Sequence, residues 1–82
     1  MADTQVVQKP KINRISPKAL LHSKWTKIAV VNKERHFVVT EVEFNEEKKI
    51  IRCVIQAVIN HAEYEIDWRE LKNGNVWLIG WQ

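Results

Sequence analysis

The feature that most constrains this chain is a period of two between Lys24 and Ile66, in four segments joined by short polar connections. The segments are rich in valine, isoleucine, threonine and aromatic residues, which favour strands. They span residues 24–31, 36–44, 49–60 and 62–66. The connections between them are too short for the crossovers that parallel strands require. The sequence therefore predicts an antiparallel meander.

The third connection predicts the register of the last two segments. If Asn60–His61 is a two-residue turn, Cys53 faces Trp68, and all the pairs on that face are apolar on both strands. A slip by one residue would exchange the two faces and expose this apolar set. The same face extends across the preceding turn, where Val42 pairs with Cys53. The sequence thus predicts one inner face, with Cys53 and Trp68 in the core.

The opposite, outer face is predicted to be partly apolar. Glu43 lies opposite Arg52 there, as an exposed ion pair. The same face carries a cluster of apolar side chains: Phe37, Val39, Val54 and Val58. A sheet with one face in water does not need such a cluster. We expect either that another segment covers it or that it binds a partner.

Two helix-start signals flank the strands. A serine followed by Pro17 predicts a short N-terminal helix to about His22. Asp67 with Glu70 three residues later is a capping box, which predicts a 3₁₀ turn before the last segment. Residues 76–81 fit either a last strand or another helical turn. The predicted fold class is mainly β, a small antiparallel meander of four to five strands, and a five-stranded version would resemble an SH3-like half-barrel.

Charge divides the chain. Residues 1–35 hold eight basic residues against two acids, a net of +6, whereas residues 36–82 hold five against eight, a net of −3. Residues 1–13 are also polar and without period, so we predict a disordered basic arm before a single small β domain, residues 14–82. A basic arm can bind phosphates or lie against its own acidic domain. The candidate phosphate contacts are Lys9, Lys11, Arg14, Lys24 and Lys27, with Trp25 as the adjoining aromatic.

Four tryptophans in 82 residues are unusual for so small a chain. A small domain buries only about 60% of its unfolded surface, and one tryptophan can bury about 150–250 Å². Most of the four are therefore expected in the core. Trp77 and Trp81 share a face under both interpretations of residues 76–81. We predict that they pack onto the sheet or the helix rather than both lying in solvent, and we assign them with the outer apolar cluster to a candidate partner surface.

No catalytic constellation is predicted. Cys53 falls on the inner face, where a thiol is inert, and a single cysteine excludes an intramolecular disulfide. The three histidines show no metal-ligand spacing, and the two glycines are isolated. We expect no enzyme activity and no cofactor. The longest apolar run, Ile28–Val31, is far short of a membrane span, and no signal peptide is evident, so a cytoplasmic protein without membrane association is expected.

Several short motifs together resemble a known family. They are Asn13-Arg14-Ile15, Pro17-Lys18, Leu20-Leu21, Ser23-Lys24-Trp25-Thr26, His36-Phe37, Glu63-Tyr64, Ile66-Asp67-Trp68-Arg69-Glu70-Leu71 and Trp77-x-x-Gly80-Trp81. The combination is specific and resembles the small tryptophan-rich conserved hypothetical proteins of bacteria, a domain of unassigned function. It covers the chain from about residue 12 to the C-terminus. The resemblance implies a bacterial cytoplasmic domain and supplies no activity or catalytic residue.

Two functions from different classes follow from these observations. The first is a non-catalytic protein–protein interaction or self-association module, anchored by the outer apolar cluster, Trp77 or Trp81. The alternative is single-stranded RNA binding, in which the basic arm contacts phosphates and Trp25 stacks on bases. The acidic body is expected to offer no basic groove beside its aromatics, which favours the first function.

Overall fold

The computed structural model describes residues 11–82, and these form one open antiparallel sheet of five strands. In chain order the elements are a first 3₁₀ turn (Pro17–Ala19), β1 (Lys24–Val31), β2 (Glu34–Phe44), β3 (Ile50–Ala57), β4 (Glu63–Ile66), a second 3₁₀ turn (Trp68–Lys72) and β5 (Trp77–Ile79). The described residues include no α-helix. The predicted mainly β class and antiparallel meander are confirmed.

The strand order is β4-β3-β2-β1-β5. The first four strands follow the chain, and β5 returns to pair with β1, so that Trp25 lies opposite Ile79 and Lys27 opposite Trp77. Residues 76–81 therefore contain a last strand rather than another helical turn. A 3₁₀ turn precedes this strand, as predicted, and β4 and β5 form the two edges of the open sheet.

Residues 11–13, which were predicted to belong to the arm, pair with the domain. The Gly74 amide donates to the Lys11 carbonyl at 2.8 Å, and the Asn13 amide donates to the Lys72 carbonyl at 2.8 Å. The Asn13 side chain also donates to the carbonyls of Leu71 and Trp77, at 2.9 and 2.8 Å. The domain thus begins before residue 14, and the rest of the predicted arm, residues 1–10, lies outside the described residues.

The predicted N-terminal helix is a 3₁₀ turn of three residues that begins at Pro17. It is shorter than expected because His22 takes a positive φ of 69°, which helical backbone does not allow, and its amide donates to the Val39 carbonyl. Leu20 is fully buried beneath the turn, whereas Leu21 is exposed.

The register between β2 and β3 is as predicted in the middle of the ladder, but a shift after Glu43 pairs Phe44 with Ile50. Val42 pairs with Cys53, and Glu43 pairs with Arg52. Beyond them a β-bulge at Thr40 adds one residue to β2. Because side chains alternate along a strand, one extra residue exchanges the two faces for the rest of that strand.

This bulge overturns part of the predicted outer cluster. Past Thr40, Phe37 pairs with Ala57 and Val39 pairs with Ile55, so both side chains turn inward. Phe37 is 3% exposed and Val39 is fully buried. They belong to the core and are unavailable to a partner.

The register between β3 and β4 differs from the prediction by two residues. The connection runs from 58 to 62 rather than through a two-residue turn, and Cys53 pairs with Ile66 instead of Trp68. An even shift keeps the same side chains on the inner face, so Cys53 remains in the core. Trp68 falls beyond the strand, in the second 3₁₀ turn, where it is half-buried.

The core lies under the inner face and is sealed by the two 3₁₀ turns. The predicted capping box is present: the Asp67 carboxylate accepts from the Arg69 amide at 3.0 Å, and the Glu70 carboxylate accepts from the Asp67 amide at 3.2 Å. This holds Leu71 fully buried. The buried cluster comprises Leu20, Trp25, Phe37, Val39, Cys53, Ile55, Ala57, Leu71 and Trp77.

Candidate functional site

The four tryptophans divide between core and surface. Trp25 is fully buried and Trp77 is 4% exposed, whereas Trp68 is half-buried and Trp81 is 46% exposed. The Trp25 indole N–H donates to the Ser23 hydroxyl at 2.8 Å, so its polar atom is satisfied inside the fold. The expectation that Trp25 stacks on bases is therefore wrong, because neither face of its ring reaches the surface.

Trp77 and Trp81 do not share a face, contrary to the prediction. Strand β5 ends at Ile79, and Gly80 then takes a φ of 82° that turns the chain. Trp77 packs edge-on against the Phe37 ring, with ring centroids 5.2 Å apart. The Trp81 indole N–H instead donates to the Phe37 carbonyl at 2.9 Å from the outer face. The pair is split between the core and the surface.

An exposed cluster surrounds the Trp81 indole on the outer face of β1 and β2. The Lys24 ammonium lies 4.8 Å from the centre of the Trp81 ring, and the His36 ring centroid lies 6.1 Å away. The His36 carbonyl accepts from the amide of Val58, which is 39% exposed. We refer to Lys24, His36, Val58 and Trp81 as the Trp81 surface. It contains Lys24, which was a predicted phosphate contact, and Val58 and Trp81, which were predicted to belong to the partner surface.

The residues around Trp81 are fixed by hydrogen bonds. The buried Thr26 hydroxyl donates to the Gly80 carbonyl at 2.7 Å and accepts from the Gln82 amide at 2.9 Å. A ring nitrogen of His36 lies 2.9 Å from the Gln82 backbone oxygen. These bonds hold the segment against β1, so the exposed indole is held in place before any partner arrives.

The remainder of the predicted outer cluster is covered. Val54 is 6% exposed and pairs with Glu41 on one side and Glu65 on the other. Arg52, two residues earlier on the same face, forms ion pairs with three acids: Glu41, Glu43 and Glu65. The stems of these charged side chains cover Val54. Of the four residues in the predicted cluster, Val58 is the one that stays exposed.

A cleft of about 490 Å³ opens between the β1–β2 hairpin and β4. Its floor is formed by the buried side chains of Phe37, Ile55 and Trp77, and its walls include Glu34, Tyr64 and Glu70. We refer to it as the acidic cleft. Sequence reasoning missed it, although one signal was present: Glu34 is one of only two acids in the first 35 residues.

The Glu34 carboxylate is the most heavily bonded acid in this cleft. It is buried, and it accepts from the Tyr64 hydroxyl at 2.7 Å and from the Asn60 side-chain amide at 2.7 Å. These two hydrogen bonds hold the pKa of Glu34 below its usual value, with a smaller contribution from nearby Lys27. The hydrogen bond between Tyr64 and Glu34 also raises the pKa of the Tyr64 hydroxyl. The carboxylate is therefore ionised at neutral pH.

A larger depression of about 860 Å³ lies beside the start of β3. Four basic residues and two acids line it together with Trp68: Lys48, Lys49, Arg52, Arg69, Glu65 and Asp67. Arg52 and Arg69 are ion-paired with neighbouring acids, whereas Lys48 and Lys49 form no ion pair within residues 11–82. The Lys72 ammonium lies 4.6 Å from the centre of the Trp68 ring. We refer to this depression as the basic trough. Two lysines without ion pairs therefore line a depression that also contains an aromatic, which corrects in part the expectation that no basic groove adjoins an aromatic.

The predicted phosphate contacts do not converge. Lys24 lies on the outer face beside Trp81, whereas Lys27 lies over the Trp77 ring at 5.8 Å on the inner side. Lys11 is anchored through its carbonyl to Gly74, Arg14 is exposed, and Lys9 lies outside the described residues.

The thiol of Cys53 and the possible metal ligands were also considered as reactive groups. Cys53 is 1% exposed, and burial raises the pKa of its thiol to about 11. No group of three or more His, Cys, Asp or Glu side chains suited to a metal ion occurs within residues 11–82. In the same stretch of chain, no helix is long and apolar enough to cross a membrane.

Comparison with known proteins identifies a family. No curated protein and no solved structure is significantly similar to this chain. A family model described as Tryptophan-rich protein (DUF2389) matches residues 23–82, which include all five strands and all four tryptophans. This chain therefore belongs to the tryptophan-rich protein family DUF2389, a domain of unassigned function.

Proposed function

We propose that this chain is a non-catalytic binding module that contacts a protein partner, or a second copy of itself, through the Trp81 surface. One observation carries the proposal: a tryptophan that is 46% exposed is held in a fixed position by its own N–H and by its neighbours. Tryptophan is the residue type most enriched among the side chains that dominate binding energy at protein interfaces.

The geometry of Trp81 suits such an anchor. Because its N–H is already bonded to the Phe37 carbonyl, a partner can cover the ring without leaving a polar atom unsatisfied. Because the indole is held in advance, little side-chain entropy is lost on binding. Val58 extends the apolar area, and Lys24 and His36 supply a polar margin.

The non-catalytic part of the proposal is supported by the position of Cys53. Its thiol is buried in the core, and its raised pKa keeps it protonated, which disfavours nucleophilic chemistry. We further propose a bacterial and cytoplasmic setting, on the resemblance of the motifs described above.

The test compares Trp81→Ala with Ile79→Ala, an exposed neighbour of similar position that lies outside the Trp81 surface. Self-association is measured by sedimentation of the full chain, and proteins retained from a bacterial lysate are quantified and re-tested as purified pairs. We expect Trp81→Ala to weaken binding at least ~10-fold and Ile79→Ala to change it little, since tryptophan anchors are worth about 2 kcal/mol or more. The proposal would be contradicted if Trp81→Ala bound as tightly as Ile79→Ala.

The alternative, single-stranded RNA binding, is favoured by the basic trough rather than by the arm and Trp25. There, Lys48 and Lys49, which form no ion pair within residues 11–82, line the same depression as Trp68, so phosphate contacts and a stacking platform would be combined. Titration with oligo-uridine tests it. Affinity that falls with salt by roughly 0.7 log units per phosphate contact, and that is lost in Trp68→Ala but kept in Trp81→Ala, would support RNA binding over protein binding.

A further inference from the structure

Within residues 11–82, the outer face of the sheet has no full covering layer. The smallest extent of the molecule is 16 Å, whereas three packed layers need about 20 Å because neighbouring layers lie about 10 Å apart. The two 3₁₀ turns already cover the inner face, where Leu20 and Leu71 are buried. The charged side chains at the two sides of the outer face, Lys24 and Glu63, are accordingly exposed.

One row of paired residues crosses this face from β1 to β4. Lys24 pairs with Val38, Val38 pairs with Gln56, and Gln56 pairs with Glu63. Residues that pair across neighbouring strands point to the same face of a sheet. The four side chains therefore form a line with a cation on β1 and a carboxylate on β4. We refer to it as the Lys24–Glu63 row.

The two charges of this row do not satisfy each other within one chain. Neither Lys24 nor Glu63 forms an ion pair within residues 11–82. Three strand spacings, about 14 Å, separate their backbones. The Lys24 ammonium lies 4.8 Å from the centre of the Trp81 ring, and the Glu63 carboxylate accepts from the Gln56 side-chain amide at 3.5 Å. Each chain thus presents both halves of an ion pair on one exposed face.

We propose that two copies of this chain stack their outer faces about a two-fold axis that runs along the strands between β2 and β3. Such an axis exchanges β1 with β4 and keeps each residue in its own row, because the same patch of surface serves both copies. Lys24 of each copy then lies over Glu63 of the other. The dimer therefore forms two identical ion pairs that one chain alone does not form.

The same axis matches the other side chains of the face. Glu43 pairs with Arg52 across β2 and β3, so Glu43 of each copy lies over Arg52 of the other. The His36 carbonyl accepts from the Val58 amide, so His36 lies over Val58 of the second copy. The Trp81 ring, 6.1 Å from that of His36, is brought to the same exposed valine. Unlike charges and apolar groups thus face one another in each of these rows.

A second copy in this position is the partner of the Trp81 surface, so the dimer rests on the proposed function. The charge pattern selects this partner, because the Trp81 surface supplies the cation and the far side of the same face supplies the acid. A face only four strands wide buries less than the roughly 1,600 Å² of a standard interface. We therefore expect a weak dimer that forms in the micromolar to millimolar range.

Charge reversal tests the row directly. Self-association of the full chain is measured by sedimentation equilibrium at low salt, where exposed charges are least screened. Lys24→Glu and Glu63→Lys should each weaken the dimer ~10-fold, because both of its ion pairs become like-charge contacts. An equimolar mixture of the two variants should regain affinity to within ~3-fold of wild type. In the mixed dimer, the substituted carboxylate of one variant faces the substituted ammonium of the other, and the two original charges also meet.

Matched controls carry the same changes of charge outside the face. Lys18→Glu lies in the first 3₁₀ turn, and Glu46→Lys lies in the connection between β2 and β3, where both positions are exposed. Each should stay within ~2-fold of wild type, and mixing them should bring no gain. Reversals in the row that leave the dimer unchanged, or a mixture no tighter than its components, would overturn the proposal.

A measurement on the wild-type chain decides the matter if a variant does not fold. Isotope-filtered NOEs at millimolar concentration should connect the Trp81 ring of one copy with the Val58 methyl groups of the other. A chain that stays monomeric there would overturn the dimer. If Trp81→Ala then still weakens binding of a protein from the lysate, the proposed function survives without the dimer. If Trp81→Ala binds as tightly as Ile79→Ala, the proposed function fails and the dimer fails with it.

Discussion

Trp77 and Trp81 are four residues apart at the end of the same chain, yet they lie on opposite faces of the sheet. Trp77 is buried against Phe37 in the core, whereas Trp81 lies half-exposed over Lys24 on the outer face. The difference arises at Gly80, which follows the end of β5. Its φ of 82° turns the backbone, so the next side chain, that of Trp81, lies on the outer face. A spacing of four residues places two side chains on one face only while a single regular element continues between them.

Trp77 contributes mainly to the stability of the fold, and Trp81 is the tryptophan available for binding. The tryptophan that holds the fold together has almost no surface left for a partner, and the tryptophan that a partner can reach contributes little to the core. We therefore expect substitution of Trp77 to lower mainly the stability of the fold and substitution of Trp81 to lower mainly binding.

Trp77→Ala should destabilise the fold by about 3–5 kcal/mol, because it removes a buried aromatic side chain and leaves a cavity in the core. Trp81→Ala should cost about 1–2 kcal/mol, from partial burial and the hydrogen bond to Phe37. Urea unfolding of both variants measures the difference. Equal losses of unfolding free energy would show that the two tryptophans are not divided between core and surface.

Gly74→Ala should cost about 1–3 kcal/mol on the Trp77 side of the molecule. A Cβ atom there would meet the Lys11 Cβ at 2.7 Å and the Lys11 carbonyl oxygen at 2.9 Å. The clash should displace residues 11–13, and with them the Asn13 side chain that donates to the Trp77 carbonyl. Faster amide exchange at Asn13 and Gly74 should accompany the loss, and wild-type exchange at both positions would count against this packing.

Gly80→Ala should cost about 1–2 kcal/mol through backbone strain alone, since φ is positive and no atom lies within 4 Å of the added Cβ. The strain should act on the Trp81 side, so the Trp81 indole signal should shift while that of Trp77 stays in place. Gly80→Asn, which tolerates positive φ better, should be milder. A shift of both indoles would mean that the turn does not separate the two side chains.

Acid should lower the free energy of unfolding, because it protonates Glu34 in the acidic cleft. The pKa of Glu34 is lowered in the fold, so its contribution to stability is complete above the unfolded pKa and is lost as pH falls through the folded value. Unfolding free energy measured between pH 7 and pH 3 should therefore fall more steeply for wild type than for Glu34→Gln. Parallel curves would show that this carboxylate is not specifically stabilised.

The sheet could be predicted from the sequence because the signals that specify it are local and recur along the chain. Alternation, short polar connections and the Asp67 capping box each specify geometry over a few residues, and the mainly β meander and the 3₁₀ turn follow. The pairing of Val42 with Cys53 and of Glu43 with Arg52 was also predicted, since both pairs lie in the regular stretch between the bulge at Thr40 and a second register shift after Glu43.

The bulge at Thr40 was not predictable in the same way. No glycine or proline marks it, and Phe37, Val38 and Val39 are three consecutive apolar residues, which alternation cannot assign to one face or the other. Its cause is tertiary: the inserted residue lets Phe37 and Val39 reach the core. For this reason the outer apolar cluster predicted from alternation alone does not exist as an exposed surface.

The candidate sites were less predictable than the fold because they combine distant parts of the chain. Trp81 meets Lys24 and His36 only because β5 pairs with β1, and the Glu34 carboxylate meets Tyr64 across the cleft. Single residues of the Trp81 surface were identified from the sequence, but their assembly depends on strand order. The acidic cleft, which depends on the same long-range arrangement, was missed.

The most direct test of the division between Trp77 and Trp81 is the broadening of tryptophan ring C–H signals in the folded chain by a soluble paramagnetic agent. It reports the exposure of each indole without any substitution. We predict that Trp81 broadens most, Trp68 less, and that Trp25 and Trp77 remain sharp. Equal broadening of Trp77 and Trp81 would contradict the assignment of one to the core and the other to a binding surface.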